Sequence, residues 1–255
     1  MFLFDQLIFG PIQSRRLGVS LGINLLPIDA KICSFDCIYC ECGFNTTMQQ
    51  SSIPTRKQVS EALELKLQQM LTAAQTPDVI TFAGNGEPTL HADFEAIIDD
   101  TLILRDKYCP SAKVSVLSNS TRIHKAPVYR ALRKVDNNIL KFDSAIERTM
   151  QLIDRPTTKY LQVSWLVEHL KKFEGHLIIQ TMFLRGEFEG EHFDNSTDME
   201  VDAWIAALEE IKPQKVMIYT IDRETPATKL EKVGREELEL IADKARKFGF
   251  EVSVA

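Results

Sequence analysis

The feature that most constrains the fold of this 255-residue chain is a repeated alternation of short apolar segments with longer amphipathic segments. Their periods predict buried strands and one-sided helices, respectively. The predicted strands cover 17–26, 78–83, 113–117, 138–143, 177–184 and 215–221, with a short last strand over 250–254. The predicted helices cover 55–74, 93–107, 127–134, 158–173, 201–211 and 236–248. Strands that each lead into a helix run parallel, and right-handed crossovers curl their sheet into a full or partial barrel.

Such an architecture gathers its functional residues at the carboxyl ends of the strands, where the strand-to-helix loops meet. The composition places this site in an ordinary globular protein, because 44% of the residues are hydrophobic and no linker or repeat divides the chain. We therefore expect one domain over 1–255. The net charge of −6 argues against bulk attraction to nucleic acid, although it leaves room for a local basic patch.

The location of the protein is predicted from what its sequence lacks and from its cysteines. No run approaches the roughly 18 apolar residues that span a bilayer, and the first ten residues have no basic region typical of a signal peptide. Five cysteines, odd in number and clustered, are typical of a reducing compartment and of metal binding. We expect a cytoplasmic protein without a membrane partner.

Three cysteines, Cys33, Cys37 and Cys40, follow the first predicted strand with the spacing C-x3-C-x2-C in a loop over 33–42. Three thiolates leave one coordination position open. A structural zinc site uses four ligands, whereas a cubane iron-sulfur cluster held by three thiolates leaves one iron free for a small molecule. A zinc knuckle with Cys42 as fourth ligand is the alternative, but Cys40 and Cys42 are closer than zinc ligand pairs usually are. We interpret Cys42 as a spare thiol; a hydrogen-atom donor role for it is also open.

A second motif, Gly84-Asn85-Gly86-Glu87-Pro88-Thr89, directly follows the second predicted strand. Its glycines let a ligand approach the main chain, and Pro88 biases Glu87 toward an extended conformation. The motif would present carbonyl groups and one carboxylate to a cationic group. A plain turn is the alternative.

Further polar residues stand at or near the ends of the later strands. They are Ser118 and Asn119 after the third strand, Lys141 and Asp143 on one face of the fourth, Gln180 within the fifth, and Asp222 and Arg223 after the sixth. A buried lysine needs a partner, so Lys141 and Asp143 are either an inward ion pair or a solvated edge pair. Gln180 is expected to have a partner inside. The other residues are ligand contacts, a polar turn or a salt-bridged loop.

The cysteine triad, with the aromatic Tyr39 directly before Cys40, resembles the radical S-adenosylmethionine (SAM) superfamily. The resemblance implies a partial (β/α)6 barrel and a [4Fe-4S] cluster whose open iron is chelated by SAM. The Gly84 to Thr89 motif is similar to the Gly-Gly-Glu element that holds the SAM amino group. The SAM-binding residues that the resemblance implies are Tyr39, Gly84, Gly86, Glu87, Ser118, Asn119, Lys141, Asp143, Gln180 and Leu184, the last as an adenine contact.

The resemblance also implies an activity. An oxidoreductase of this kind receives an electron from a donor such as flavodoxin or ferredoxin and cleaves SAM to a 5′-deoxyadenosyl radical, which abstracts hydrogen from a substrate. The substrate would be a nucleoside or tRNA base, or a small metabolite. The alternatives are an activating enzyme that acts on a protein or peptide, and a non-catalytic zinc or iron-sulfur binding module.

Within the superfamily, the residues around Gly10 to Pro27 look like the branch of wyosine-type tRNA-modifying enzymes. Those enzymes carry a second cluster bound by cysteines upstream of the triad, and this chain has no cysteine before Cys33. Cys42 and Cys109 are too few for a second cluster held only by cysteines. The pyruvate and tRNA chemistry of that branch is therefore not expected here.

Charged segments complete the predictions. A loop after the fifth strand carries Glu187, Glu189, Glu191, Asp194, Asp198, Glu200 and Asp202, and it would be a solvated flap or a lid over 186–200. A basic run on the helix after the third strand contains Arg122, Lys125, Arg130, Arg133 and Lys134, and it would be a solvated face or a docking patch. Arg15 and Arg16 are predicted to meet an anionic group of the substrate.

Overall fold

The sheet at the centre of the molecule is eight-stranded, with the order β1-β2-β3-β4-β5-β6-β9-β11. A computed structural model describes residues 2–14, 17–47, 51–158 and 161–255. The strands of this sheet are β1 Ile8–Ser14, β2 Gly18–Ile23, β3 Val79–Phe82, β4 Lys113–Ser118, β5 Asn137–Lys141, β6 Ile178–Met182, β9 Lys215–Tyr219 and β11 Val252–Val254. All neighbours from β2 to β11 pair in parallel, as the alternation predicts.

Within the described ranges, seven α-helices accompany these strands. They are α1 Arg56–Thr72, α2 Phe94–Tyr108, α3 Ala126–Leu132, α4 Glu147–Asp154, α5 Val163–Leu170, α6 Asp198–Ile211 and α7 Arg235–Arg246. α1 begins as predicted, because Thr55 and Gln58 form a reciprocal capping box. Among the described ranges, no helix is both long and apolar enough to cross a membrane.

The two faces of the sheet have different neighbours. On β5, Leu140 belongs to the large core that packs against the helices, whereas Ile139 belongs to a small separate cluster with Ile178 of β6 and Met217 of β9. Successive residues of a strand point to opposite faces, so Lys141 shares the inner face with Ile139. The predicted inward orientation of Lys141 is therefore confirmed.

The sequence patterns missed an antiparallel edge strand and a short helix. β1 pairs antiparallel with β2, and the Gly10-Pro11 step near its start hides it, because proline is tolerated only at a sheet edge or a bulge. α4 lies between the predicted strand 138–143 and the predicted helix 158–173, in a segment with no predicted element. α5 begins at Val163 rather than at Thr158, the predicted start.

The acidic segment after β6 was wrongly predicted to be a loop. Its first part forms β7 Leu184–Phe188 and β8 Glu191–Asp194, which join β10 Leu230–Lys232 in a second sheet with the order β10-β7-β8. Its last part lies in α6. Glu200, counted among the exposed acids, is only 4% exposed and accepts a hydrogen bond from Ser144 at 2.6 Å. The role of this segment as a lid remains a prediction.

Candidate functional site

The cysteine loop after β2 is joined directly to the Gly84–Glu87 loop after β3. Ile32 and Gly86 form an isolated parallel bridge, in which the backbone N–H of Ile32 donates to Asn85 at 2.9 Å and Glu87 donates to Ile32 at 3.1 Å. The side chain of Asn85 is fully buried and donates to the carbonyl of Pro27 at 2.8 Å. Two motifs that lie about 50 residues apart in the chain therefore form one unit.

Gly86 cannot carry a side chain in this arrangement. Its φ is +135°, and a Cβ atom would lie 1.8 Å from the carbonyl oxygen of Ile32. We expect Gly86→Ala to lower the free energy of unfolding by at least about 3 kcal/mol, because it combines backbone strain with overpacking. Urea denaturation of the two proteins checks this.

The control is Gly190→Ala, since Gly190 also has a positive φ, +84°, but no atom lies within 4 Å of its added Cβ. The free energy of unfolding of this variant should fall by only about 1–2 kcal/mol, which is the cost of the left-handed conformation. Equal losses in the two variants would show that the bridge to Ile32 is not tightly packed.

The other side of the cysteine loop is held by the unpredicted helix α4. The backbone N–H groups of Asp36 and Ile38 donate to carbonyls at the end of α4, each at 3.0 Å. Asn45 closes the loop from within: its side chain accepts from the Cys33 N–H at 2.9 Å and donates to the Phe35 carbonyl at 3.0 Å. The loop thus enters the site with its backbone groups already hydrogen-bonded.

Each cysteine of the triad has a polar neighbour. Asn119 donates from its side-chain amide to Cys33 Sγ at 3.3 Å, and Lys141 Nζ donates to Cys37 Sγ at 3.1 Å. Cys42, the predicted spare thiol, lies beside Cys40, and its one S–H donates to the Gly84 carbonyl at 3.5 Å or to Cys40. In the part of the chain that the structure describes, no three His, Cys, Asp or Glu side chains gather closely enough to hold one metal ion. In a cubane, by contrast, each thiolate binds a different iron.

Buried thiols without a metal are poor acids, and the site shows this. Burial raises the pKa of Cys33 to about 12, with Glu87 adding to the effect, and burial also raises the pKa of Cys37. The hydrogen bond from Cys42 lowers the pKa of Cys40 to about 6. A bound metal deprotonates its thiol ligands outright, so iron would supply the positive charge that this pocket needs.

Lys31 supplies positive charge from the protein itself. It is only 2% exposed, donates to the Gly43 carbonyl at 2.7 Å and lies 3.6 Å from Asp36. Burial lowers its pKa, but the three cysteine sulfurs and Asp36 outweigh burial and raise it overall. A buried ammonium group beside three cysteines suits an anionic thiolate cluster, so the residues fit the implied cofactor.

Glu87 lies between the cysteine loop and the end of β4. Its carboxylate is 2% exposed and accepts hydrogen bonds from Ser118 Oγ at 2.9 Å and from the Asn119 N–H at 2.6 Å. Burial raises its pKa despite these bonds and two from Thr89. None of the described residues forms an ion pair with Glu87, so its carboxyl group is held by hydrogen bonds alone.

Lys141 is the centre of a buried cluster that lies beside Cys37. Its Nζ lies 3.0 Å from Asp143 and 2.7 Å from Asp154, and it also contacts the hydroxyl of Tyr39. Tyr39 in turn donates to Asp143. The Asp143 side chain is fully buried and that of Lys141 is 14% exposed, so the solvated edge pair is excluded and the inward ion pair is correct.

Gln180 pairs with Lys141 across β5 and β6, whereas Leu184 begins β7 further along the chain. Gln180 is 8% exposed and lines a cavity of 410 Å³ on the inner face of the sheet. The partner that Gln180 is expected to have is not among the described residues, with which its amide forms no hydrogen bond. Leu184 is fully buried at the start of β7, where its N–H donates to Asn195 at 2.8 Å.

The wall of this cavity is mostly neutral. Its described lining includes Phe4, Phe9, Ile12, Leu17, Leu117, Ile139 and Met217, with Ser20 and Thr81 hydrogen-bonded to each other at 2.9 Å. Asp222 and Arg223 lie at its edge, and Arg223 pairs with Glu41 at 2.7 Å, as the salt-bridged alternative predicts. Arg15 and Arg16 lie outside the described residues.

Three residues of the site were missed in the sequence: Lys31, Asn45 and Asp154. A lysine and an asparagine near a cysteine motif look like ordinary loop residues, and only tertiary contacts separate them from the rest. Asp154 had a weak signal, because Met150 and Ile153 before it have helical spacing and Arg155-Pro156 after it stops a helix.

The chain is similar to several known proteins. No protein-family model matches it. It is 31% identical over 244 residues to a Brachyspira hyodysenteriae protein named GTPase Obg, covering 94% of this chain and 33% of that protein. It is 30% identical over 227 residues to a UPF0026 protein of Synechocystis sp., covering 86% of this chain and 77% of that relative. The chain belongs to the UPF0026 family. It spans about a third of the length of the Brachyspira protein.

Solved structures show which fold this UPF0026 chain has. A radical SAM methyltransferase from Sphaerobacter thermophilus matches with a TM-score of 0.68 at 12% identity, over 92% of this chain and 65% of that one. Streptococcus suis SuiB bound to SAM matches with a TM-score of 0.65 at 14% identity, over 92% of this chain and 50% of that one. TYW1 with a lysine-pyruvate adduct matches with a TM-score of 0.62 at 13% identity, over 89% of this chain and 73% of that one. The predicted radical SAM fold, a partial barrel, is confirmed.

Proposed function

We propose that this protein is a radical SAM enzyme with a [4Fe-4S] cluster on Cys33, Cys37 and Cys40. The observation that carries the proposal is the position of Asn119, which donates its N–H to Glu87 at 2.6 Å and its side-chain amide to Cys33 at 3.3 Å. Three motifs that were predicted separately to bind the cluster and SAM thus contact one another. The fold, shared with a structure that contains SAM, supports the proposal.

Within this proposal, the chain's residues bind and orient the cofactors. Glu87 would accept a hydrogen bond from the SAM amino group, because it is a buried carboxylate without a cation. The other proposed SAM contacts are Tyr39, Gly84, Gly86, Ser118, Asn119, Lys141, Asp143, Gln180 and Leu184. The bound cluster and SAM supply the reductive cleavage that yields a 5′-deoxyadenosyl radical, and the protein supplies position and shields the site from water.

The inner cavity indicates the part of the substrate that would enter. Its wall combines apolar side chains with polar ones, its Ser20–Thr81 pair is already hydrogen-bonded, and the Gln180 amide forms no hydrogen bond with a described residue. An uncharged group with one polar edge, such as a nucleobase or a small metabolite, fits such a wall. A peptide side chain has similar chemistry, and SuiB, which has this fold, has been solved with its precursor peptide SuiA.

The name of the Brachyspira protein suggests nucleotide hydrolysis, which we do not propose for this chain. A phosphate-binding loop of the P-loop type has the pattern Gly-x4-Gly-Lys-Ser/Thr. The 255-residue sequence contains no such pattern.

Anaerobic reconstitution with iron and sulfide is the test. We expect a brown protein that, with dithionite and SAM, releases 5′-deoxyadenosine, and whose reduced-cluster EPR signal changes when SAM is added. Chromatography and mass spectrometry measure the product. A colourless protein that retains zinc and depends on Cys42 would instead support the non-catalytic metal module.

A further inference from the structure

The basic run after β4 divides into two parts in the structure. Arg130 and Lys134 pair with carboxylates of α2 at 2.6 and 2.7 Å, and Arg133 donates to a backbone carbonyl at 2.8 Å. These three cations have structural partners. Arg122 and Lys125 have none among the described residues, and Arg122 Nε is buried without a hydrogen bond.

The two unpartnered cations lie beside the cysteine loop. They line a cavity of 570 Å³ together with Cys33 and Ser34 from that loop and with Trp165 of α5. None of the described residues that line it is acidic, although the chain has 36 acidic and 30 basic residues. The cavity is thus a local positive site on a negative protein, and it reaches a predicted cluster ligand.

Neighbouring rings give this surface a rigid apolar part. Trp165 stacks on His169 at 4.0 Å between ring centroids, and His124 meets Trp165 edge-on at 5.3 Å. Burial and Lys125 lower the pKa of His124, so at pH 7 the positive charge comes from Arg122 and Lys125. Aromatic residues and arginine are enriched at protein interfaces, and a positive patch there faces a negative patch of the partner.

We propose that this carrier-docking surface, formed by Arg122, His124, Lys125 and Trp165, receives an acidic one-electron carrier protein of the flavodoxin type. The inference rests on the proposed function, which needs one electron from outside the chain. In the step, the anionic flavin hydroquinone loses one electron and becomes the neutral semiquinone. The cluster on Cys33, Cys37 and Cys40 gains that electron, and no proton is transferred.

The charges favour a protein carrier over RNA at this surface. RNA affinity grows with the number of phosphates that lysine and arginine neutralise, and two cations neutralise few. Two cations are sufficient to orient a transient redox partner, whose interface usually buries less than about 1,200 Å². Because net charges of equal sign repel, the local patch would have to direct the encounter.

The test measures how fast reduced flavodoxin reduces the reconstituted cluster, followed by absorbance in a stopped-flow instrument at several salt concentrations. For wild type we expect a second-order rate constant that falls as salt rises, because salt screens over about 8–10 Å. The variant Arg122→Glu/Lys125→Glu should be slower by about 10-fold or more at low salt. If the double variant folds poorly, Lys125→Glu alone is the substitute, because it changes only an exposed residue. It should lower the rate constant by a smaller factor.

The matched control is Lys232→Glu/Lys247→Glu, which changes the net charge equally at two exposed lysines elsewhere and should retain the wild-type rate. Equal slowing in both double variants would overturn the docking surface, since only net charge would then matter. Binding of bulk tRNA through Arg122 and Lys125, with an unchanged flavodoxin rate, would overturn it in favour of RNA.

A parallel measurement with dithionite separates this inference from the proposed function. Dithionite is a small reductant that needs no docked protein. Should dithionite and SAM give no 5′-deoxyadenosine in wild type, the proposed function fails and the inference with it. If dithionite and SAM do give 5′-deoxyadenosine, but flavodoxin reduces wild type and Arg122→Glu/Lys125→Glu at the same rate, only the docking surface fails.

Discussion

Replacement of Cys37 by alanine is expected to abolish cluster binding and to lower the rate of 5′-deoxyadenosine formation more than about 100-fold. Loss of a residue that merely supports a metal ligand already lowers metal affinity or activity by about 10–100-fold, so loss of a ligand itself should have a larger effect. Cys37 is 8% exposed and contacts Lys141 at 3.1 Å, so no neighbouring water or side chain easily replaces its sulfur. Iron and sulfide content, visible absorbance and product formation measure the effect.

Cys109→Ala is the matched control for this prediction. Cys109 is also a buried free thiol, 3% exposed, but it lies at the C-cap of α2 and outside the cysteine loop. It should retain iron and activity. If Cys37→Ala kept a full cluster that still cleaved SAM, the assignment of the three ligands would be wrong.

Cys42→Ala tests the remaining thiol of the loop. Cys42 forms a hydrogen bond with Cys40 and lowers its pKa, so it supports a neighbour and is not a ligand in the proposal. Iron content should therefore persist. A fall equal to that of Cys37→Ala would make Cys42 a fourth ligand and revive the zinc alternative.

Much of this site was predictable because parallel strands place their carboxyl ends at one edge. That rule alone brings the Cys33 loop, Glu87 and Asn119 together. The two-residue period of a strand likewise predicted that Lys141 and Asp143 point inward. These inferences needed only the positions of strands, which long apolar segments reveal.

The missed elements lacked local signals. α4 has only eight residues, and its N-cap, Ile146, offers no side-chain hydrogen bond, so nothing in the sequence marks its start. It persists through tertiary contacts, such as the bond from the Asp36 N–H to the carbonyl of Asp154. The burial of Lys31 has the same origin, because its partners Gly43 and Asp36 meet it only once the loop has closed.

The expected cost of replacing Lys141 by methionine is about 3–5 kcal/mol of the free energy of unfolding, measured by anaerobic urea denaturation of cluster-free protein. Removing one partner of a buried ion pair leaves an uncompensated charge, and here Asp143 and Asp154 would both remain. Burial lowers the pKa of Lys141, but these two carboxylates raise it well above its usual value. The stabilisation is therefore electrostatic.

A double-mutant cycle separates this interaction from loss of packing. The free energy of unfolding of Lys141→Met/Asp154→Asn should fall by less than the sum of the decreases in the two single variants, because the double variant no longer buries the Asp154 charge. The coupling energy should be about 0.5–3 kcal/mol. The exposed pair Lys229 and Glu187, 2.7 Å apart, is the control, and its cycle should give less than about 1 kcal/mol. If the Lys141 and Asp154 losses simply added, the lysine would act through packing alone, and its place beside Cys37 would carry no electrostatic consequence for the fold.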